Sequence, residues 1–120
     1  MIRGVKFASI PVTDQERALA FYTEKLGFKV LTDQPFSDKQ RWIELGLSGA
    51  ETRLVLFQFG DDLKAGSMMN VAFWCDDVES TARELKSKGV EFVMEPTAQH
   101  WGVTSIFKDL DGNRFVLSSK

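Results

Sequence analysis

The one histidine of this chain, His100, stands in Gln99-His100-Trp101-Gly102, and the one cysteine, Cys75, stands in Ala72-Phe73-Trp74-Cys75. An imidazole titrating near neutrality can hydrogen-bond a ligand or move its proton, and an accessible thiolate is a nucleophile. Each also has a plainer use, as a solvated loop histidine and as a small apolar filler inside a strand. The neighbours of Cys75 favour the filler, and a lone cysteine makes no intramolecular disulfide. Ser9, Ser118 and Cys75 have no histidine in the same motif, so no nucleophile and base are paired. No glycine-rich phosphate loop or paired carboxylates stand out either. Asp109, Asp111 and Asn113 are accounted for by turn formation alone. Trp101 either anchors its loop by packing or offers a face for stacking.

The bulk of the chain narrows the partners. Its 120 residues are 43% hydrophobic and 12% aromatic, enough for one buried core and too few for two conventional domains. Fifteen basic and seventeen acidic residues leave a net charge of -2, which gives no pull toward nucleic acid or an anionic membrane. No apolar run approaches the roughly 20 residues of a membrane helix. Residues 1–7 carry charge and glycine where a signal peptide would be apolar. A cytoplasmic protein is the expectation.

The elements that must position any site come in two rounds. Residues 5–12 alternate as a strand, Asp14 offers a helix N-cap, Ala18, Phe21, Tyr22 and Leu26 recur at helical spacing, and Gly27 ends the helix. Strand-like runs follow at residues 28–31, 41–47 and 52–59. After a polar, glycine-punctuated stretch at residues 60–68 the order returns. There is a strand at 69–75, a helix capped by Asp77 and stopped by Gly89, and strands at 90–94, 103–107 and 113–118. Each round spells βαβββ. One helix covers only one face of four strands, so the other face is left open for a ligand.

Val12-Thr13-Asp14, Ala18-Leu19-Ala20-Phe21-Tyr22 and Leu26-Gly27-Phe28 resemble the "V-x-D…FY…LG-F" signature of vicinal-oxygen-chelate proteins. That superfamily holds glyoxalase I, extradiol dioxygenases, fosfomycin-resistance enzymes and bleomycin-binding proteins. The second round is similar: residues 70–77 match "H-x-A-F-x-V-x-D", and residues 109–117 are close to "D-P-D-G-N-x-x-E-L". The resemblance covers essentially the whole chain. It implies an α+β fold of two tandem βαβββ modules, about 1–59 and about 69–120 of a single domain, forming a cupped, mostly antiparallel sheet with helices on its outer face.

Members that use a metal take one His or Glu from each of four strands, and the matching positions here hold Phe7, Leu56, Asn70 and Val116. These supply at most one weak oxygen donor, where a divalent ion needs about three or four strong ones. The expectation is therefore no metal and no cofactor. A register slip of one or two residues would bring in Gln58, Glu44 or Ser118, still with a single imidazole in the chain.

Alternation assigns Ala8, Ile10, Val12, Val55, Phe57, Phe59, Val71, Phe73, Cys75, Phe115 and Leu117 to the helix-packed side. The open side takes Phe7, Ser9, Leu54, Leu56, Gln58, Asn70, Ala72, Trp74, Arg114, Val116 and Ser118, with Trp42 and Glu44 or their neighbours. His100 and Trp101 sit in a loop resembling the "W-G" loop that many members place at the pocket mouth. Rings with a few polar groups suit a small-molecule pocket. The same face can instead fill with its own side chains or pack on a dimer mate. The leading reading is a metal-free small-molecule binder similar to bleomycin-resistance proteins, working as a homodimer. The alternative is a glyoxalase- or dioxygenase-like enzyme with a non-standard metal or acid–base site built on Glu44, His100 or Gln58.

Overall fold

Asp14 and Asp77 do the same local work 63 residues apart: each carboxylate accepts the backbone N–H three residues on, from Arg17 and from Ser80, both at 3.1 Å. Each thereby satisfies a donor that a helix start leaves orphaned. The computed structural model describes all 120 residues, Met1–Lys120, in two compact units, Met1–Ala65 and Gly66–Lys120. Each unit has its own four-stranded mixed sheet and one helical segment. No helix is long and apolar enough to cross a membrane.

The first unit runs β1 (Phe7–Pro11), α1 (Gln15–Ala20), a π-helical turn (Phe21–Lys25), β2 (Lys29–Pro35), β3 (Arg41–Gly46) and β4 (Arg53–Phe57), in the sheet order β1-β4-β3-β2. β1 pairs with β4 in parallel, and the other two pairings are antiparallel. The helix expected to continue to Gly27 widens after Ala20, where Leu26 N–H reaches the Phe21 carbonyl at 3.3 Å, five residues back. Arg41 fixes the side on which α1 lies. Its guanidinium holds Glu16 of α1 at 2.6 Å and Asp33 of β2 at 3.0 Å. Residues sharing its side by alternation and register are Ile43, Leu45, Leu54, Leu56 and Ile10. All five are buried, and full burial of each such side chain is worth about 1.5–3 kcal/mol. Gln15 of α1 closes the packing, donating to the Arg41 and Leu56 carbonyls at 2.7 and 2.9 Å.

The second unit runs β5 (Met68–Cys75), α2 (Val78–Ser87), β6 (Phe92–Gln99), β7 (Gly102–Lys108) and β8 (Arg114–Ser119), in the order β5-β8-β7-β6. α2 buries Val78, Ala82 and Leu85, and its Lys86 reaches over the Phe92 ring and pairs with Glu95. Phe92, Phe107, Phe115, Leu117 and Phe73 share that side through their ladder partners.

Two strands run past the bounds their sequence suggests. β2 extends to Pro35 rather than ending at residue 31, and β6 runs to Gln99 rather than ending at residue 94. Both are edge strands. A proline there removes no ladder hydrogen bond, and two register shifts in β6, on either side of Met94, absorb Pro96. His100 and Trp101 are consequently a two-residue hairpin turn between Gln99 and Gly102, not a loop.

Candidate functional site

The face of the first sheet turned away from α1 is built by alternation from Phe7, Ser9 and Pro11 of β1, Trp42 and Glu44 of β3, and Arg53, Val55 and Phe57 of β4. Aromatic rings dominate it. Trp42 lies 5.5 Å from Phe7, 5.3 Å from Phe57 and 6.0 Å from Phe36, ring centre to ring centre. Phe36, at the tip of the β2–β3 hairpin, also meets Phe57 edge-on at 5.0 Å while remaining 61% exposed. Such pairs favour edge-to-face or offset geometry and add about 0.5–1.5 kcal/mol each to plain burial.

Glu44 is the one carboxylate among these side chains, and it is buried. One oxygen accepts the Trp42 indole N–H at 2.7 Å and the other accepts an N–H of Arg53 at 2.8 Å. The indole bond first, then Arg53, hold its carboxyl below the ordinary carboxylate range. A group whose folded value is depressed stabilises the fold above its unfolded value, and that contribution disappears as pH falls through the folded value. Stability should accordingly decline below about pH 4.5, the ordinary value, with Glu44 contributing. Urea titrations of Glu44→Gln across the acid range should show a shallower decline. An identical acid limb in the variant would remove Glu44 from the account.

The other expected site residues divide between the faces. Phe7, Ser9, Trp42 and Glu44 stand on the face opposite α1. Leu56 and Leu54 do not: paired with Ile43 and Ile10 and with Leu45 and Ala8, they belong to the helix-packed side and are buried. Phe57, assigned to the helix side, stands opposite, and its contact with Phe59 at 5.2 Å brings that ring along. The alternation of β4 is thus inverted by one residue. Gln58 lies beyond the end of β4, donating to the Thr13 carbonyl and, through its backbone, bonding Gln40. In the second unit, Trp74, Arg114 and Val116 stand on the face opposite α2. Trp74 is 58% exposed, with the Lys120 ammonium 4.5 Å above its ring. Asn70 sits in the register shift between Met68 and Ala72 with φ at 56°, a conformation that asparagine tolerates better than most residues. His100 and Trp101 are exposed at the β6–β7 turn, with their rings edge to face at 4.6 Å.

Arg53 escaped the sequence reading. The signal was available in the hairpin: with Leu45 facing Leu54 across the turn at Ser48-Gly49, Glu44 and Arg53 become diagonal neighbours.

A divalent ion does not fit this donor set. Phe7 faces the Trp42 ring, Leu56 is inside the core, Asn70 and Val116 offer one amide oxygen between them, and both oxygens of Glu44 are already bonded. Nowhere does the chain gather three His, Cys, Asp or Glu side chains in a cluster suited to a cation. Within the first unit, both oxygens of Glu44 are bonded and Gln58 donates to the Thr13 carbonyl beyond the end of β4, while His100 stands exposed at the β6–β7 turn of the second.

Comparison with known proteins matches residues 4–117 to the Glyoxalase/Bleomycin resistance protein/Dioxygenase superfamily. The Bacillus subtilis protein YetH is 38% identical over 122 residues, spanning 98% of both chains. Among solved structures, TnmS3 of Streptomyces sp. CB03234, described as an antibiotic binding protein, superposes with a TM-score of 0.90 at 36% identity, covering 98% of this chain and 96% of its own. A superfamily member from Sphaerobacter thermophilus superposes with a TM-score of 0.91 at 31% identity, over 99% and 98% of the two chains.

Proposed function

Because this chain belongs to the Glyoxalase/Bleomycin resistance protein/Dioxygenase superfamily, we propose that it binds a small molecule without a metal, holding a flat aromatic ligand against the ring wall of the first sheet. The observation that carries this reading is the composition of that wall. Phe7, Phe36, Trp42 and Phe57 surround a single charge pair, Glu44 with Arg53. Apolar walls with few fixed polar groups provide burial and orientation without chemistry. TnmS3, described as an antibiotic binding protein, offers a precedent for small-molecule binding on a similar chain. An acid–base enzyme draws less support, because its best-placed carboxylate has both oxygens occupied. The exposed Trp74 and the Trp101 turn of the second unit are further places where an aromatic ligand or a second copy of the chain would rest, and the reading includes a homodimer in the cytoplasm.

Titration of the protein, purified without chelator, against a panel of planar aromatic metabolites and antibiotics tests this. Calorimetric heat and tryptophan quenching should appear for at least one compound and survive EDTA. A stoichiometric tightly held metal together with turnover of a hemithioacetal would overturn the proposal. So would a complete lack of binding across the panel.

A further inference from the structure

We propose that the ligand carries an oxyanion and that Arg53 is the residue that selects it; this deepens the aromatic-wall reading and rests on it. A guanidinium presents five N–H donors in a rigid fork, and it recognises carboxylate oxygens two at a time. Glu44 takes one of the Arg53 nitrogens at 2.8 Å. The second terminal nitrogen and Nε make no hydrogen bond to protein, and the side chain is 43% exposed. Arg53 is therefore held at one corner and open to solvent at the other two.

Its position gives those donors a use. Phe7 is its direct partner in the β1–β4 ladder, and the Phe7 ring meets Trp42 at 5.5 Å. A ring system lying on Phe7 and Trp42 would bring an edge substituent to the Arg53 fork. Both oxygens of Glu44, the one carboxylate of this face, are already bonded, so none is left to meet the open donors of Arg53. Those donors are complementary to a planar aromatic acid rather than to a neutral or cationic ring. Glu44 is the positioning residue: its bond to the indole of Trp42 and its bond to Arg53 tie the stacking surface and the anion fork into one rigid unit.

A naphthoate and its uncharged carboxamide separate the two contributions, followed by tryptophan quenching and calorimetry near neutral pH at physiological salt. The wild-type protein should prefer the carboxylate by about tenfold or more, as a charge-assisted pair to a guanidinium implies. Arg53→Gln should bring the two affinities to within about threefold by weakening the naphthoate alone, and Arg53→Lys should keep part of the preference. The double variant Glu44→Gln with Arg53→Gln, which leaves no unpaired charge, should behave as the single one does and guards against misfolding. Equal affinities in the wild type, or a preference surviving Arg53→Gln, would overturn the anion assignment while the aromatic wall stands. Failure of both probes to bind would overturn the two together.

Discussion

Trp42→Ala is expected to lower the free energy of unfolding by about 3–4 kcal/mol, whereas Trp42→Phe should lower it by only about 1 kcal/mol. The difference follows from what the indole does. Its ring system is the hub joining Phe7, Phe36 and Phe57. Truncation to a methyl removes every one of those contacts and uncovers the rings it joined to water. Its N–H is one of two donors to the buried Glu44 carboxylate. Phenylalanine keeps a ring at the hub and forfeits only that donor, leaving Arg53 to hold the carboxylate. The acid limb of stability should also weaken in both variants, since the indole bond is the largest influence holding Glu44 ionised. Urea unfolding of the three proteins at neutral and acid pH decides it. Equal losses in the two variants would mean that the hydrogen bond, and not the ring hub, matters here.

An effect of similar size is expected in the second unit, from Asn113. This residue is fully buried. Its amide oxygen accepts the Gly66 N–H at 2.8 Å, and its amide nitrogen donates to Asp109 at 2.9 Å. Asp109 returns two more bonds, accepting the backbone N–H of Asp111 and of Asn113 itself. The side chain thus closes the β7–β8 turn and pins the start of the unit against it. Asn113→Ala should cost about 2–4 kcal/mol, because it strips partners from groups that stay out of water. Asn113→Asp should be worse at neutral pH, where a second carboxylate faces Asp109, and should recover partly on acidification as one of the two takes up a proton. A variant as stable as the wild type would show that solvent replaces the amide at no cost. Aspartate behaving alike at neutral and acid pH would show that the two carboxylates do not interact.

The chain made some of this visible in advance and concealed the rest for identifiable reasons. The caps at Asp14 and Asp77, the stops at Gly27 and Gly89 and the doubled βαβββ order follow from local chemistry, which tertiary structure seldom overrides. β8 alternates between large apolar Phe115 and Leu117 and the smaller or polar Arg114, Val116 and Ser118, so its faces could be assigned. β4 could not be assigned that way. Leu54, Val55, Leu56 and Phe57 are apolar on both sides and all buried, and a pattern of period two without contrast fits either register. Only the pairing across the hairpin, with Arg53 reaching Glu44, fixes which side each faces. Phe36 was hidden differently. It lies among turn residues, and its place over Trp42 comes from the length of β2, whose extension to Pro35 no local signal announces.

β6 has a consequence for how these molecules behave in a crowd. An outermost strand with regular spacing would invite a stranger's backbone to zip alongside it, the first step toward a fibre. Here Pro96 withholds one amide hydrogen from any such visitor, and the shifts beside Met94 throw the remaining donors and acceptors out of step. This border of the second sheet is therefore a poor template, and growth by recruitment of further chains along it is discouraged.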